Sequence, residues 1–72
     1  FETQAAITQK LKEDIEVYYN RANFQPYHRE AIDMILHKLA RILNGDPNYV
    51  DSWHDIAGYA ILVEDIINEK RS

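Results

Sequence analysis

Two short interruptions, NFQP at residues 23–26 and GDPN at residues 45–48, divide this chain into three segments of helical pattern. Pro interrupts helices because it lacks an amide proton, and Gly because it has no side chain to restrain the backbone. In the first segment the apolar residues recur at steps of four, four, three and four, the spacing of one helical stripe: Ile7, Leu11, Ile15, Tyr18 and Ala22. This pattern predicts a first helix over residues 2–22.

The limits of the second helix are predicted from its flanking residues. Pro26 suits the first helical position, with Gln25 or Asn23 near the cap. The helix is expected to stop before Gly45, which can take the left-handed conformation that closes a helix. The second helix is therefore predicted over residues 26–44.

The third helix is predicted over residues 52–69, because Ser52 followed by Asp55 has the form of a capping box. Short turns between three helices of similar length indicate one all-α domain, residues 1–72, with an antiparallel up-down-up arrangement. The chain begins on Phe rather than Met, and we expect it to be a piece of a longer protein.

Self-association is expected from the size and apolar character of the chain. A domain of 72 residues buries only a modest share of its surface, so its stability needs support. The chain has no cysteine for a disulfide, and its three histidines lack the spacing of metal ligands. The third helix carries Ala60, Ile61, Leu62 and Val63 in succession, more apolar surface than a monomer needs. We therefore expect a homodimer that completes a larger helical bundle.

The charge balance of the chain disfavours nucleic acid as a partner. Twelve acidic residues against eight basic ones give a net charge of −4, and no basic stripe is interleaved with aromatic residues. No apolar run approaches the roughly 20 residues that span a bilayer, and the first residues lack the order of a signal peptide. We expect a cytoplasmic protein without membrane association.

Two acids and two bases form the candidate site. Asp51 and Asp55, four residues apart, share one helical face and could hold Mg²⁺ while leaving waters for a phosphate. The alternative is that they only cap amide groups and complement the helix dipole. Lys38 and Arg41 lie where an antiparallel second helix would meet them. The two cations are interpreted either as a phosphate clamp, with Lys as a point charge and Arg as a bidentate fork, or as simple ion-pair partners.

Two further residues stand next to this acidic pair. Trp53 is more typical of a core or interface anchor, on the face of Ile56, Ala57 and Ala60, than of a stacking platform. Gly58 costs about 1 kcal/mol relative to Ala inside a helix, which indicates close packing of another backbone or, alternatively, a gap that faces a ligand. The chain has no Ser-His-acid arrangement, Gly-rich phosphate loop or HExxH motif. Acid-and-metal chemistry on phosphate is therefore the enzymatic class that these residues support.

The run MILHKLARILNG followed by DSWHDIAGYA resembles a motif pair of small phage and prophage proteins, K-x-x-R-I and then D-x-W-x-D-I-A-G-Y-A. Those proteins are similar to MazG-like all-α nucleoside-triphosphate pyrophosphohydrolases and to phage nucleotide-modification-associated domains. The resemblance covers residues 34 to 63 or so, and it implies an oligomerising helical bundle with a role in nucleotide handling during phage infection. It picks out the following residues: Lys38, Arg41, Asp51, Trp53, Asp55 and Gly58.

The chain departs from the MazG-like pattern at the acids. Those enzymes hold Mg²⁺ with an E-x-x-E pair on one helix and E-x-x-D on the next, whereas here the second pattern is Ser52-x-x-Asp55 and Glu30-x-x-Asp33 is a partial echo of the first. A neutral Ser leaves the metal with less charge than pyrophosphate cleavage usually needs. The resemblance therefore implies a domain that binds nucleotide phosphate and that, if active, is a metal-dependent pyrophosphohydrolase. The alternative is a non-catalytic helical module that binds itself or a host protein.

Overall fold

A computed structural model describes residues 2–20 and 23–71 of the chain. Three α-helices account for most of these residues: α1 over Glu2–Glu16, α2 over Pro26–Asn44 and α3 over Val50–Arg71. A 3-10 turn, Val17–Asn20, follows α1, and the described residues contain no strand. The all-α fold predicted from the sequence is confirmed.

The first helix is shorter than predicted. Its α-helical part ends at Glu16, and the chain tightens into the 3-10 turn before the predicted end. The turn contains Val17, Tyr18 and Tyr19, β-branched and aromatic residues that lose rotamer freedom in an α-helix, which accounts for the early end. Ala22, the last member of the predicted stripe, lies outside the described residues.

The start of α2 follows its local sequence. Pro26 is the first helical residue, as predicted, and Gln25 is the cap. The Gln25 amide donates a hydrogen bond of 2.9 Å to Nδ1 of His28, three residues later. This bond satisfies one of the amide groups that a helix start leaves without a partner.

The end of α2 corrects the prediction for Gly45. Its φ of −139° and ψ of −133° lie outside the left-handed region, and its amide donates to the Ile42 carbonyl over 3.4 Å. After Gly45 the chain enters a turn held by Asp46, whose Oδ1 accepts a 2.9 Å hydrogen bond from the Asn48 amide. This exit from α2 uses no positive φ.

The start of α3 differs from the predicted capping box. The helix begins at Val50, two residues before the predicted start, and Ser52 lies inside its first turn, where it is buried and its amide donates to the Tyr49 carbonyl. Asp55 does not return to the helix start, because its carboxylate pairs with Lys38. The predicted capping box of Ser52 and Asp55 is therefore wrong, and the Ser52 amide bonds the Tyr49 carbonyl instead.

The three helices run antiparallel to their neighbours, as predicted. At one end of the molecule Nη2 of Arg29 lies 3.4 Å from Oε1 of Glu16, which joins the start of α2 to the end of α1. At the same end the Lys70 ammonium lies 4.6 Å from the centroid of the Tyr27 ring, which joins the end of α3 to the start of α2.

The helices form an open layer with α2 in the middle. Both α1 and α3 pack on α2, but in the described residues no Cα of α1 comes within 8 Å of a Cα of α3. The molecule measures 41 × 28 × 13 Å, whereas a closed three-helix bundle has two similar short dimensions. The buried apolar core is accordingly thin, and among the described residues it consists of Ala31, Leu36, Ala40 and Ile42.

The openness of the layer leaves one side of α3 without a neighbour. Because the backbone of α3 packs on α2 and not on α1 in the described residues, the side that faces away from α2 is exposed along the first half of the helix. We call this surface the free face of α3, and its residues are Val50, Trp53, His54, Ala57, Gly58 and Ile61. Among the described residues, no helix combines the length and the apolar character needed to cross a membrane.

Candidate functional site

Lys38 and Asp55 form the centre of the candidate site. Nζ of Lys38 lies 2.9 Å from Oδ2 of Asp55, and the Lys38 side chain is 13% exposed while that of Asp55 is 42% exposed. The hydrogen bond from Lys38 holds the pKa of the Asp55 carboxyl below its usual range, aided by the charges of Lys38, His54 and Arg41 and opposed by desolvation. The predicted meeting of these two residues is found, and in the described structure it is an ion pair.

Asp51 has a different partner from Asp55. Asp51 lies beside the Tyr49 hydroxyl, and hydrogen bonding to the Asp51 carboxylate, with its negative charge, raises the pKa of Tyr49 above its ordinary value. The two acids that were predicted to share Mg²⁺ thus turn toward a cation and a phenol respectively. Among the described residues, no group of three or more His, Cys, Asp or Glu side chains comes together as a metal-ligand set.

Arg41 lines a polar cleft of about 200 Å³ where the end of α2 meets the start of α3. Within the described part of the chain Arg41 has no ion-pair partner at salt-bridge distance. The cleft lies beside the positive end of the α3 dipole. Its lining residues are Gln4, Arg41, Asn44, Gly45, Asp46, Tyr49 and Ser52. Lys38, Asp51 and Asp55 are absent from that lining, so the four predicted site residues do not converge on one concavity.

The side chain of Trp53, a residue of α3, bonds to the loop before the helix and does not lie in the core. Its side chain is 50% exposed, and its Nε1–H donates a 2.8 Å hydrogen bond to the carbonyl of Pro47. The face on which it was predicted to be buried is largely outside, since Ala57 and Ala60 are also exposed. A core role within one chain is therefore wrong, because α3 packs on α2 through a different side, which includes Ser52 and Val63.

Gly58 has open space where its side chain would be. A Cβ built on this residue would meet no heavy atom within 4 Å. The predicted close packing of another backbone is therefore not present within the described chain. The residue instead leaves a notch in a shallow surface groove of about 310 Å³, whose other lining residues are His54, Asp55, Tyr59 and Leu62.

Sequence reasoning missed two polar groups of the site. Tyr49 binds Asp51 and lines the cleft of Arg41, and its position directly after the GDPN turn was the only available signal. Gln4 reaches the same cleft from α1, which no local pattern indicates. Both contacts depend on how separate segments meet in space.

Comparison with known proteins finds no protein-family model, no curated protein and no solved structure that matches this chain. The fold and the geometry of the site are therefore the basis for assigning a function. They define an open three-helix layer with the Lys38–Asp55 ion pair and the Arg41 cleft at one end, and an exposed apolar helix face.

Proposed function

We propose that this chain is a helical association module, in which the free face of α3 docks onto another helical surface. The observation that carries the proposal is the one-sided packing of a helix of 22 residues. Trp53 and Ile61 on that face are 50% and 56% exposed, and Val50 is 72% exposed. Monomeric proteins rarely leave a contiguous apolar surface of this kind in water unless it binds something.

Apolar burial favours association over chemistry at this end of the molecule. Burying a large apolar side chain completely contributes about 1.5–3 kcal/mol, so covering the exposed halves of Trp53 and Ile61 contributes on the order of 1 kcal/mol each. Lys38, in contrast, already has a partner inside the chain in Asp55, and Asp51 lies beside the Tyr49 hydroxyl. Paired charges stabilise a turn, whereas uncovered apolar groups favour a partner.

The association module is tested with an apolar dye, anilinonaphthalene sulfonate, at a protein concentration where sedimentation shows a monomer. Ile61→Glu places a charge on the free face and should reduce the dye fluorescence by about half, because Ile61 is one of the large exposed apolar side chains of that face. Leu43→Glu is the matched control, since Leu43 is 67% exposed but lies on α2. Equal dye fluorescence for both variants and the unchanged chain, or no dye binding at all, would contradict the proposal.

A second candidate function is the binding of nucleotide phosphate, as the resemblance to MazG-like proteins implies. The observation that favours it is the Arg41 guanidinium, which has no ion-pair partner among the described residues and lies at a polar cleft large enough for a phosphate group. A guanidinium binds phosphate through two parallel hydrogen bonds, and Mg²⁺ with its waters could link the phosphate to Asp51. In this role the chain would handle nucleotides in the cytoplasm of a phage-infected host, by binding rather than cleavage.

Nucleotide binding is tested by a thermal-shift panel of nucleotides with and without Mg²⁺. A ligand at about 100 times its Kd stabilises the folded chain by about 2.7 kcal/mol, which is a shift of several degrees. Arg41→Gln should remove the shift, and Arg71→Gln at the opposite end of α3 should retain it. No shift at millimolar nucleotide, or an equal shift in both variants, would refute binding at this cleft.

A further inference from the structure

We infer that the surface that covers the free face of α3 is a second copy of this chain, joined through two antiparallel α3 helices that cross near Gly58. This inference rests on the proposed association function and names its partner. The pair is isologous, meaning that each copy contributes the same surface and a two-fold axis passes through the crossing point. Any substitution on this face therefore occurs twice in the interface, once in each copy.

The exposed area of the chain matches the area that one dimer interface buries. A compact monomer of 8.5 kDa exposes about 4,650 Å², from the scaling of surface with mass. This chain exposes 5532 Å², an excess of roughly 900 Å². A standard stable interface buries about 800 Å² on each partner. The excess exposed area of the open layer is therefore about equal to the area that one copy buries in a dimer.

The free face has the shape that a close helix pair requires. Gly58 has no heavy atom within 4 Å of its Cβ position, and the neighbouring Ala57 is exposed and small. Small residues at a crossing point allow two helix axes to approach to the short end of the usual 8–10 Å range. The larger Trp53 and Ile61 lie on either side of the small residues Ala57 and Gly58 along α3. In an antiparallel pair each Trp53 therefore approaches the partner subunit's Ile61.

The distribution of apolar and polar residues along α3 matches that of a protein–protein interface, which has an apolar centre and a polar rim. The apolar and small residues occupy its first half, while the same side of its second half carries polar groups, among them Glu64, Asp65 and Asn68. Antiparallel pairing of α3, a helix of about 33 Å, places the apolar halves at the centre and the polar halves at the rim. A Trp near the centre of such a patch is typical of residues that dominate binding energy.

The inference is tested by sedimentation of the whole chain from micromolar to hundreds of micromolar concentration, together with fluorescence of Trp53. Trp53 is the sole tryptophan of the sequence, so its emission reports this face alone. We expect a dimer whose Trp53 emission moves to shorter wavelength as concentration rises. Ile61→Glu should raise the Kd by about a hundredfold, because the pair contains two copies of the change, and Leu43→Glu should leave the Kd unchanged.

Two outcomes separate this inference from the proposed function. A chain that stays monomeric over the whole range overturns the inference, but if its dye binding still falls with Ile61→Glu, the association function stands with a different occupant. A dimer that Ile61→Glu leaves intact overturns both. Ala57→Glu repeats the test on the same face, and circular dichroism verifies that both variants keep their helices.

Discussion

Replacing Gly58 with alanine separates the folding of one chain from the pairing of two. Within one chain the new methyl group meets no heavy atom within 4 Å, and Gly58 does not require a positive φ. No packing penalty therefore opposes the higher helix propensity of Ala. We expect Gly58→Ala to raise the free energy of unfolding of the monomer by about 1 kcal/mol, or about 4–8 °C in Tm.

The assay is urea denaturation followed by circular dichroism, at a concentration where the chain is monomeric. Ala6→Gly in α1 is the matched control, because Ala6 is also an exposed residue inside a helix. That change should lower the free energy of unfolding by about the same 1 kcal/mol. If Gly58→Ala leaves monomer stability unchanged or lowers it, the space beside Gly58 is occupied and the description of this face as open is refuted.

The same variant has the opposite effect on the dimer. Two added methyl groups at the crossing point hold the helix axes apart, so we expect Gly58→Ala to raise the Kd of association about tenfold. Stability should consequently rise at low concentration and rise less, or fall, at high concentration. A variant that dimerises as tightly as the unchanged chain would show that the helices do not cross at Gly58.

Three further predictions concern the polar contacts around the start of α3. The pKa of Asp55 is lowered in the folded chain, so the Lys38 contact stabilises the fold above about pH 4. This stabilisation is lost as the pH falls through the pKa of Asp55 in the folded chain. Asp55→Asn should therefore make the urea midpoint less sensitive to acid. Trp53→Phe removes the hydrogen bond to Pro47, and the urea midpoint should fall by an amount that corresponds to about 0.5–1.5 kcal/mol. Asp51→Asn should bring the pKa of Tyr49 back toward its ordinary value, as followed by phenolate absorbance, and an unchanged titration would mean that the two side chains do not interact.

The parts of the fold that were predictable depend on local interactions. The limits of α2 follow from Pro26 and from the Asn44–Gly45 step, because a missing amide proton and a missing side chain act on the backbone where they stand. The closure at Gly45 and the start of α3 were predicted less well. Both depend on the path of the turn, which the side chain of Asp46 directs through its bond to the Asn48 amide.

The candidate site was predictable only where helix direction decides contact. Lys38 and Asp55 meet because antiparallel neighbours joined by a short turn bring the end of one helix to the start of the next. Arg41 joins Tyr49 and Gln4 at a separate cleft instead, because the rotation of each helix about its own axis decides which concavity a side chain lines. Sequence spacing does not define that rotation for α3, because apolar residues surround most of the helix.

Three helices, their alternating directions and the proximity of Lys38 to Asp55 follow from the amino-acid sequence alone. The side of α3 that faces α2, and with it the exposure of Trp53 and Gly58, depends on how the helices pack. The physical reason is that apolar residues surround most of α3, so its amphipathic pattern favours no single side. Packing on α2 chose one side and left α1 too far away to cover the other, which is why an apolar helix face remains available for a partner.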